Sequence, residues 1–155
     1  MKKLFALFLG ICLVWQCQPK KEQPEAFSFK KEVSSSKPNA SEMVDLENKG
    51  VGPVTQVLFS DEIDQELVQN GQRIYEEKCT VCHKVGETFI GPPPNDILKR
   101  RTPEWVMNMI LNPTEMIEKD TLAKALFMEF NGQLMTNQNL KQQEARAILE
   151  YFRTL

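Results

Sequence analysis

Histidine is almost missing: the 155 residues hold one, His83. Cysteine is scarce as well, four in all, and none follows Cys82. Together these shortages exclude most zinc chemistry. A Cys2His2 site needs a second histidine, and a zinc ribbon needs a second cysteine pair. The apolar run at the front, Leu4 to Trp15, spans 12 residues and is broken by Gly10 and Cys12. A conventional membrane-spanning helix needs about 20. An excess of positive charge is also lacking. Residues 61–155 carry 11 basic and 15 acidic residues, a net of -4, which argues against nucleic acid as a partner.

What stands out is Cys79-Thr80-Val81-Cys82-His83. Two cysteines separated by two residues and followed at once by histidine form the attachment sequence for c-type haem. Each thiol can add to one porphyrin vinyl group. The spacing sets the sulfurs about one helical turn apart, and the next residue brings its imidazole under the iron. The CxxC pair also admits a redox-active dithiol or half of a zinc site. A thioredoxin-like dithiol wants a strand and a βαβ frame around it, and neither is visible here.

The front of the chain reads as a targeting segment. Lys2 and Lys3 precede the apolar run, and residues 1–17 have the length of a signal peptide. A short buried N-terminal helix is the alternative. Cys17 closes the run and is followed by the polar stretch Gln18 to Gln23. This resembles a bacterial lipoprotein signal in which Cys17 becomes lipidated; Cys12 is a weaker candidate. Cys12 and Cys17 then belong to export, and Cys79 and Cys82 to haem. Residues 18–59 read as a polar linker with balanced charge, broken at Ser34 to Asn39 and extended up to about residue 42. Val54, Val57, Leu58 and Phe59 can pack on the surface of the domain.

Residues 60–155 read as all-α, a bundle of about four to five short helices. Ser60 can cap the first, with Asp61, Glu62 and Asp64 at its positive end. Ile63, Leu67, Ile74 and Cys79 recur at near-helical spacing. Gly71 costs about 1 kcal/mol of propensity inside this helix, so it implies a backbone crossing close by. Gly91-Pro92-Pro93-Pro94 fixes an extended segment, and a proline carbonyl there can accept a hydrogen bond from His83 Nδ1. Lys99, Arg100 and Arg101 are a local basic run, suited to solvent, to an acidic partner or to a haem propionate. Thr102-Pro103 starts a helix over 103–111, with Trp105, Val106, Met109 and Ile110 on one side. Asn112-Pro113 stops it, and Thr114 to Lys119 reads as a connector. Asp120 caps a helix over 121–130, ended by Asn131-Gly132. Ala145, Ile148, Leu149 and Phe152 give the last helix, 141–153, a clean apolar stripe. A domain of this size has a marginal core of its own; buried porphyrin would complete it, so the apo form should fold poorly.

The pattern from Ser60 to Leu155 resembles class I bacterial cytochromes c. Asn70 to His83 resembles the family's first helix and haem loop, Gly91-Pro92 its proximal Gly-Pro, and Trp105 to Pro113 its middle helix ending in Asn-Pro. Leu149-Glu150-Tyr151-Phe152 resembles the end of the C-terminal helix, with Tyr151 packing on Gly71. The resemblance implies one covalent haem c, contacted by Cys79, Cys82, His83, Gly91, Pro92, Trp105 and Met135. It places the distal methionine in the loop before the last helix, where Met135 stands, with iron held by His83 and Met135. Met128 falls inside the preceding helix, and an open sixth site is the other alternative. Two residues depart from the family. Thr136 follows Met135 where proline is usual, so Thr136 or Asn137 would have to orient the loop. Pro94 stands where leucine often packs on haem, leaving that contact to Ile97 or Leu98.

The resemblance further implies a single-electron carrier of a respiratory chain, not an enzyme, outside the cytoplasmic membrane in the periplasm or at the cell surface. Its donor would be a quinol-oxidising membrane complex, and its acceptor a terminal oxidase or reductase. Alternatives are a haem enzyme or gas sensor with a labile sixth ligand, and a non-catalytic haem subunit of a larger redox complex.

Overall fold

The computed structural model describes residues 38–155. The expected signal segment and the Cys17 lipidation site lie outside the described residues. Six helices follow in order: α1 (Gln65–Lys78), α2 (Ile97–Arg100), α3 (Pro103–Leu111), α4 (Pro113–Lys119), α5 (Thr121–Glu129) and α6 (Gln142–Phe152). The described residues include no β-strand, only two isolated bridges. None of their helices is long and apolar enough to cross a membrane.

The main packing is α1 across α6. Gly71 makes the crossing possible. A Cβ there would collide with the Ala147 carbonyl and stand 2.8 Å from Ile148 N. Without a side chain the two backbones meet, and Ala145, Ala147, Ile148 and Leu149 are all fully buried. Ile148 and Leu149 each contribute about 1.5–3 kcal/mol by leaving water. Tyr151 meets Tyr75, one turn along α1 from Gly71, with ring centroids 5.6 Å apart.

Local signals fix most helix ends. Thr102 Oγ1 accepts from Trp105 N at 3.1 Å, and Asp120 Oδ1 accepts from Ala123 N at 2.7 Å. At α6, Glu144 reaches back to accept from Lys141 N at 2.7 Å, as in a capping box. Two expectations change. Ser60 does not cap α1; Asp64 does, its Oδ1 accepting from Glu66 N and Leu67 N at 3.0 Å. Ile63 therefore precedes the helix and is exposed. The expected connector after Asn112 is α4, with Met116 completely buried. Pro113 ends one helix and, lacking a donor, suits the first position of the next.

The packed body also begins before residue 60. Residues 40–57 form a strap across α3 and the α4–α5 turn. Ala40 and Val54 are buried in the core. Asn108 holds the strap like a backbone clip. Its Oδ1 accepts from Val54 N at 2.9 Å, and its Nδ2 donates to the carbonyls of Lys49 and Val54, both at 2.9 Å. Asn48 donates to Asp120 at 2.7 Å, and Val57 N donates to Glu104 Oε1 at 3.1 Å. This half of the expected linker is thus part of the folded body. Met107, on the side of α3 away from the expected face, is also buried.

Candidate cofactor site

α1 leads directly into the site. Cys79 N donates to Tyr75 O at 2.8 Å, closing the helix. The chain then makes one further turn: Cys82 N and His83 N both donate to Cys79 O, at 3.0 and 2.8 Å. Cys79, Cys82 and His83 are thereby gathered at one cavity wall. Tyr75 fastens the turn from behind, its hydroxyl donating to His83 O at 2.7 Å. Burial raises the Tyr75 phenol pKa, so it remains a donor across the ordinary pH range.

The proline segment fixes the imidazole. Gly91 N donates to Cys82 O at 2.9 Å, which brings Pro92 O to 2.8 Å from His83 Nδ1. A carbonyl only accepts, so the proton is on Nδ1 and Nε2 keeps its lone pair. Gly91 lies against the ring; a Cβ there would stand 2.8 Å from Nδ1.

These groups border a cavity of about 190 Å³ whose lining is mainly apolar. Every site residue expected within the described part of the chain lines it: Cys79, Cys82, His83, Gly91, Pro92, Trp105 and Met135. Trp105 shows the cavity its ring; its indole N–H is spent on Asp120 Oδ1 at 3.1 Å. Met135 is half-buried and packs on the core, whereas Met128 is 68% exposed and off the cavity. Met109 also lines the wall, from within α3. The loop carrying Met135 is tied down without proline. Asn137 Nδ2 donates to Leu111 O at 3.2 Å, and Gln138 Nε2 to Thr136 Oγ1 at 2.9 Å. Ile97, not Leu98, reaches the cavity beside Pro94.

Residues beyond those expected also line the cavity. Ser41 comes from the strap, where nothing in its polar sequence signals a site. Its N–H donates to Glu129 Oε2 at 2.8 Å. Arg100 and Arg101 come from the basic run. Arg101 is 1% exposed, so the reading as a solvated loop fails for it; Lys99 is exposed and pairs with Asp96 at 2.7 Å.

The donor set fits covalent haem better than the alternatives. Both thiols are free, beside an imidazole with one nitrogen left to ligate. Among the described residues no group of three or more His, Cys, Asp or Glu could hold a metal ion. Burial, with Cys82 nearby, pushes the Cys79 thiol up to about 11. A redox-active CxxC needs a thiol lowered toward neutrality.

A bundle of short helices that presents a CxxCH turn to an apolar cavity defines a covalent haem-binding domain of the c type. The sequence profile of the family described as Cytochrome c matches residues 68–155. A solved cytochrome c from Rhodothermus marinus is 41% identical, with a TM-score of 0.65, over 75% of this chain and 92% of that one. An engineered cytochrome c from Rhodothermus marinus (Rma TDE) is 40% identical, with a TM-score of 0.64, over 75% of this chain and 93% of that one. The same engineered protein bound to a carbene intermediate gives 40% identity and a TM-score of 0.62, with the same coverage. No curated protein matches the chain. The chain belongs to the cytochrome c family, class I, and has that family's all-α fold. It is a cytochrome c-type electron carrier; members of the family typically carry electrons on covalent haem c without catalysis of their own.

Proposed function

We propose that this cytochrome carries one electron at a time outside the cytoplasmic membrane, with one six-coordinate haem c held by Cys79, Cys82, His83 and Met135. The observation that carries the reading is the His83 imidazole. Pro92 holds its Nδ1–H at 2.8 Å, leaving Nε2 as a ligand atom, on a cavity that Met135 also lines. Bound haem supplies a one-electron ferric/ferrous couple. The chain supplies the surroundings. Tyr75 and Pro92 hold His83 in one tautomer and one orientation. Gly91 leaves room for the ring. Asn137 and Thr136 hold the Met135 loop, and a thioether favours the reduced state and raises the potential. Apolar walls keep water from the metal.

Cys17 would carry the lipid that tethers the domain to a membrane, facing the periplasm or the cell surface. The polar chain between anchor and strap gives reach, which raises the effective concentration of a tethered carrier near membrane partners. The donor would be a quinol-oxidising membrane complex, and the acceptor a terminal oxidase or reductase. The domain's net charge of -4 over residues 61–155 suits proteins rather than nucleic acid.

Visible spectra of the ferric protein and of Met135→Ala test the ligation. The wild type should show the weak sulfur-to-iron charge-transfer band, and the variant should lose it. An unchanged spectrum would remove Met135 from the site. Cys17→Ala should move the protein from the membrane fraction to the soluble fraction; retention on the membrane would remove the lipid anchor.

A further inference from the structure

Two buried side-chain nitrogens have no hydrogen-bond partner among the described residues: Arg100 Nε and Arg101 Nε. Both arginines line the cofactor cavity, and Arg101 is 1% exposed. Such orphans are rare in folded proteins and call for an explanation. Arg101 is the more telling of the two. Its other nitrogens both have partners. Nη1 donates to the carbonyls of Met43 and of Arg100, and Nη2 donates to Ala40 O. The strap runs alongside, with Asp45 N donating to Arg100 O at 2.8 Å. The next strap residue after Ala40, Ser41, lines the cavity itself.

Charge sharpens the point. No ion pair involving Arg101 occurs among the described residues; those present lie elsewhere. Its hydrogen bonds go only to neutral carbonyls, and Asp45, Asp120 and Glu129 act on it from beyond ion-pair distance. Burial and the neighbouring Arg100 charge outweigh these carboxylates and lower its pKa. The missing partner is an anion at the Nε edge. Haem carries two carboxylate side chains, and a carboxylate bonded to a guanidinium in an apolar setting gives a strong, charge-assisted hydrogen bond. The guanidinium is flat and rigid, so fixing one edge orients the other.

We propose that Arg101 links the strap to the carboxylate side chains of bound haem, so that docking of residues 40–46 tunes the reduction potential. This rests on the covalent-haem reading above. The family match begins at residue 68, so the strap lies outside the part of the chain that defines the family. One edge of Arg101 holds the strap and the other holds the cofactor. Each therefore stabilises the other's position, and the coupling is reciprocal. Arg100, tied through Nη2 to Asn95 O at 3.1 Å, adds a second positive charge on the same side. Arg101 is a positioning residue here, acting on the strap and the carboxylates and not on the iron.

A double-mutant cycle on the haem-loaded protein tests the link. The four proteins are the wild type, Arg101→Gln, a chain lacking residues 38–46, and the combination; the readout is the midpoint reduction potential. Deleting the strap should shift the potential downward in the wild-type background, as the site opens to water. That shift should vanish when Arg101 is already Gln. An equal shift in both backgrounds, or none in either, overturns the link. Should Arg101→Gln not yield folded protein, Arg101→Lys takes its place with the same criterion, since lysine keeps the charge but lacks the fork. Should that fail too, the deletion alone decides: an unshifted potential overturns the proposal. Haem retained after denaturation and the methionine band are read on the wild type. Absence of covalent haem overturns the haem reading itself and absence of the band overturns only the Met135 ligation, whereas additive potentials with both present overturn only the link.

Discussion

Gly91 lies directly against the imidazole of His83: a Cβ on residue 91 would stand 2.8 Å from Nδ1 and 3.1 Å from Nε2. The contact is steric and not conformational, because Gly91 is not among the glycines with positive φ. The ring cannot move aside freely, since Pro92 O holds its Nδ1 at 2.8 Å.

Gly91→Ala should therefore overpack the site. The expected cost is about 1–3 kcal/mol of folding stability, with a lower yield of haem-loaded protein. Denaturant unfolding of the loaded protein measures it. A midpoint equal to wild type would mean the ring has slack that the geometry does not suggest.

Gly71 should be still less tolerant, because its obstacle is backbone. The Ala147 carbonyl and Ile148 N form one peptide unit of α6 and cannot rotate away. Gly71→Ala has to push α1 and α6 apart, uncoupling the helix that leads into Cys79 from the one that bears Leu149. A loss of about 3 kcal/mol or more is expected, at the upper end of overpacking costs, and seen as a lower thermal midpoint. The neighbouring exposed change Gln72→Ala, which loses one surface hydrogen bond to Glu76, should stay within about 0.5 kcal/mol.

The contrast between these glycines and the strap shows what a sequence can express. Thr102-Pro103, Asp120 and the stripe Ala145, Ile148, Leu149 are local signals, and the structure has a helix at each. The CxxCH turn is equally local. Gly71 signals a crossing but not its partner, which is set by packing. Asn112-Pro113 reads as a stop, yet Pro113 opens α4, because a residue without a donor suits the first helical position as well as the end of a helix. Most of the strap carries no local signal; only Val54 and Val57, near its end, read as packing residues. It is polar and rich in turn residues, and its order comes from Asn108, Arg101 and Glu104, which lie 47 to 61 positions away from their strap partners. For the same reason Ser41 is not legible as a cavity residue, while Met135 is, through the family resemblance that places a methionine in the loop before the last helix.

Asn108→Leu should release the strap while leaving α3 intact. Asn108 is 1% exposed and serves Val54 N and the carbonyls of Lys49 and Val54. Leucine matches its volume roughly but offers no partner. Each group left buried and unpaired costs about 1–3 kcal/mol, and the chain can limit this by letting the strap detach. Limited proteolysis should then cut between residues 48 and 58 much faster than in wild type, with the helical circular dichroism signal retained. Equal cleavage rates would mean that the other strap contacts suffice.

Acid should weaken the domain through Glu150. This carboxylate is completely buried at the α6 end of the bundle. Burial alone would raise its pKa. Arg146 at 2.6 Å, the Asp64 N–H at 3.1 Å and Arg153 at 2.6 Å outweigh burial, and the pKa is lowered below the ordinary 4.5. A carboxyl whose pKa is depressed by folding binds its proton more readily in the unfolded chain. Its contribution to stability is therefore complete above about pH 4.5 and is lost as pH falls through the lower folded value. Glu150→Gln should remove this component, because an amide does not titrate. The variant should be less stable than wild type at neutral pH, since Arg146 and Arg153 lose their charged partner. The gap should narrow as pH is taken below 4.5. Denaturant melts of both proteins across that range measure it, and a gap that stays constant with pH would show that Glu150 is not the group that titrates.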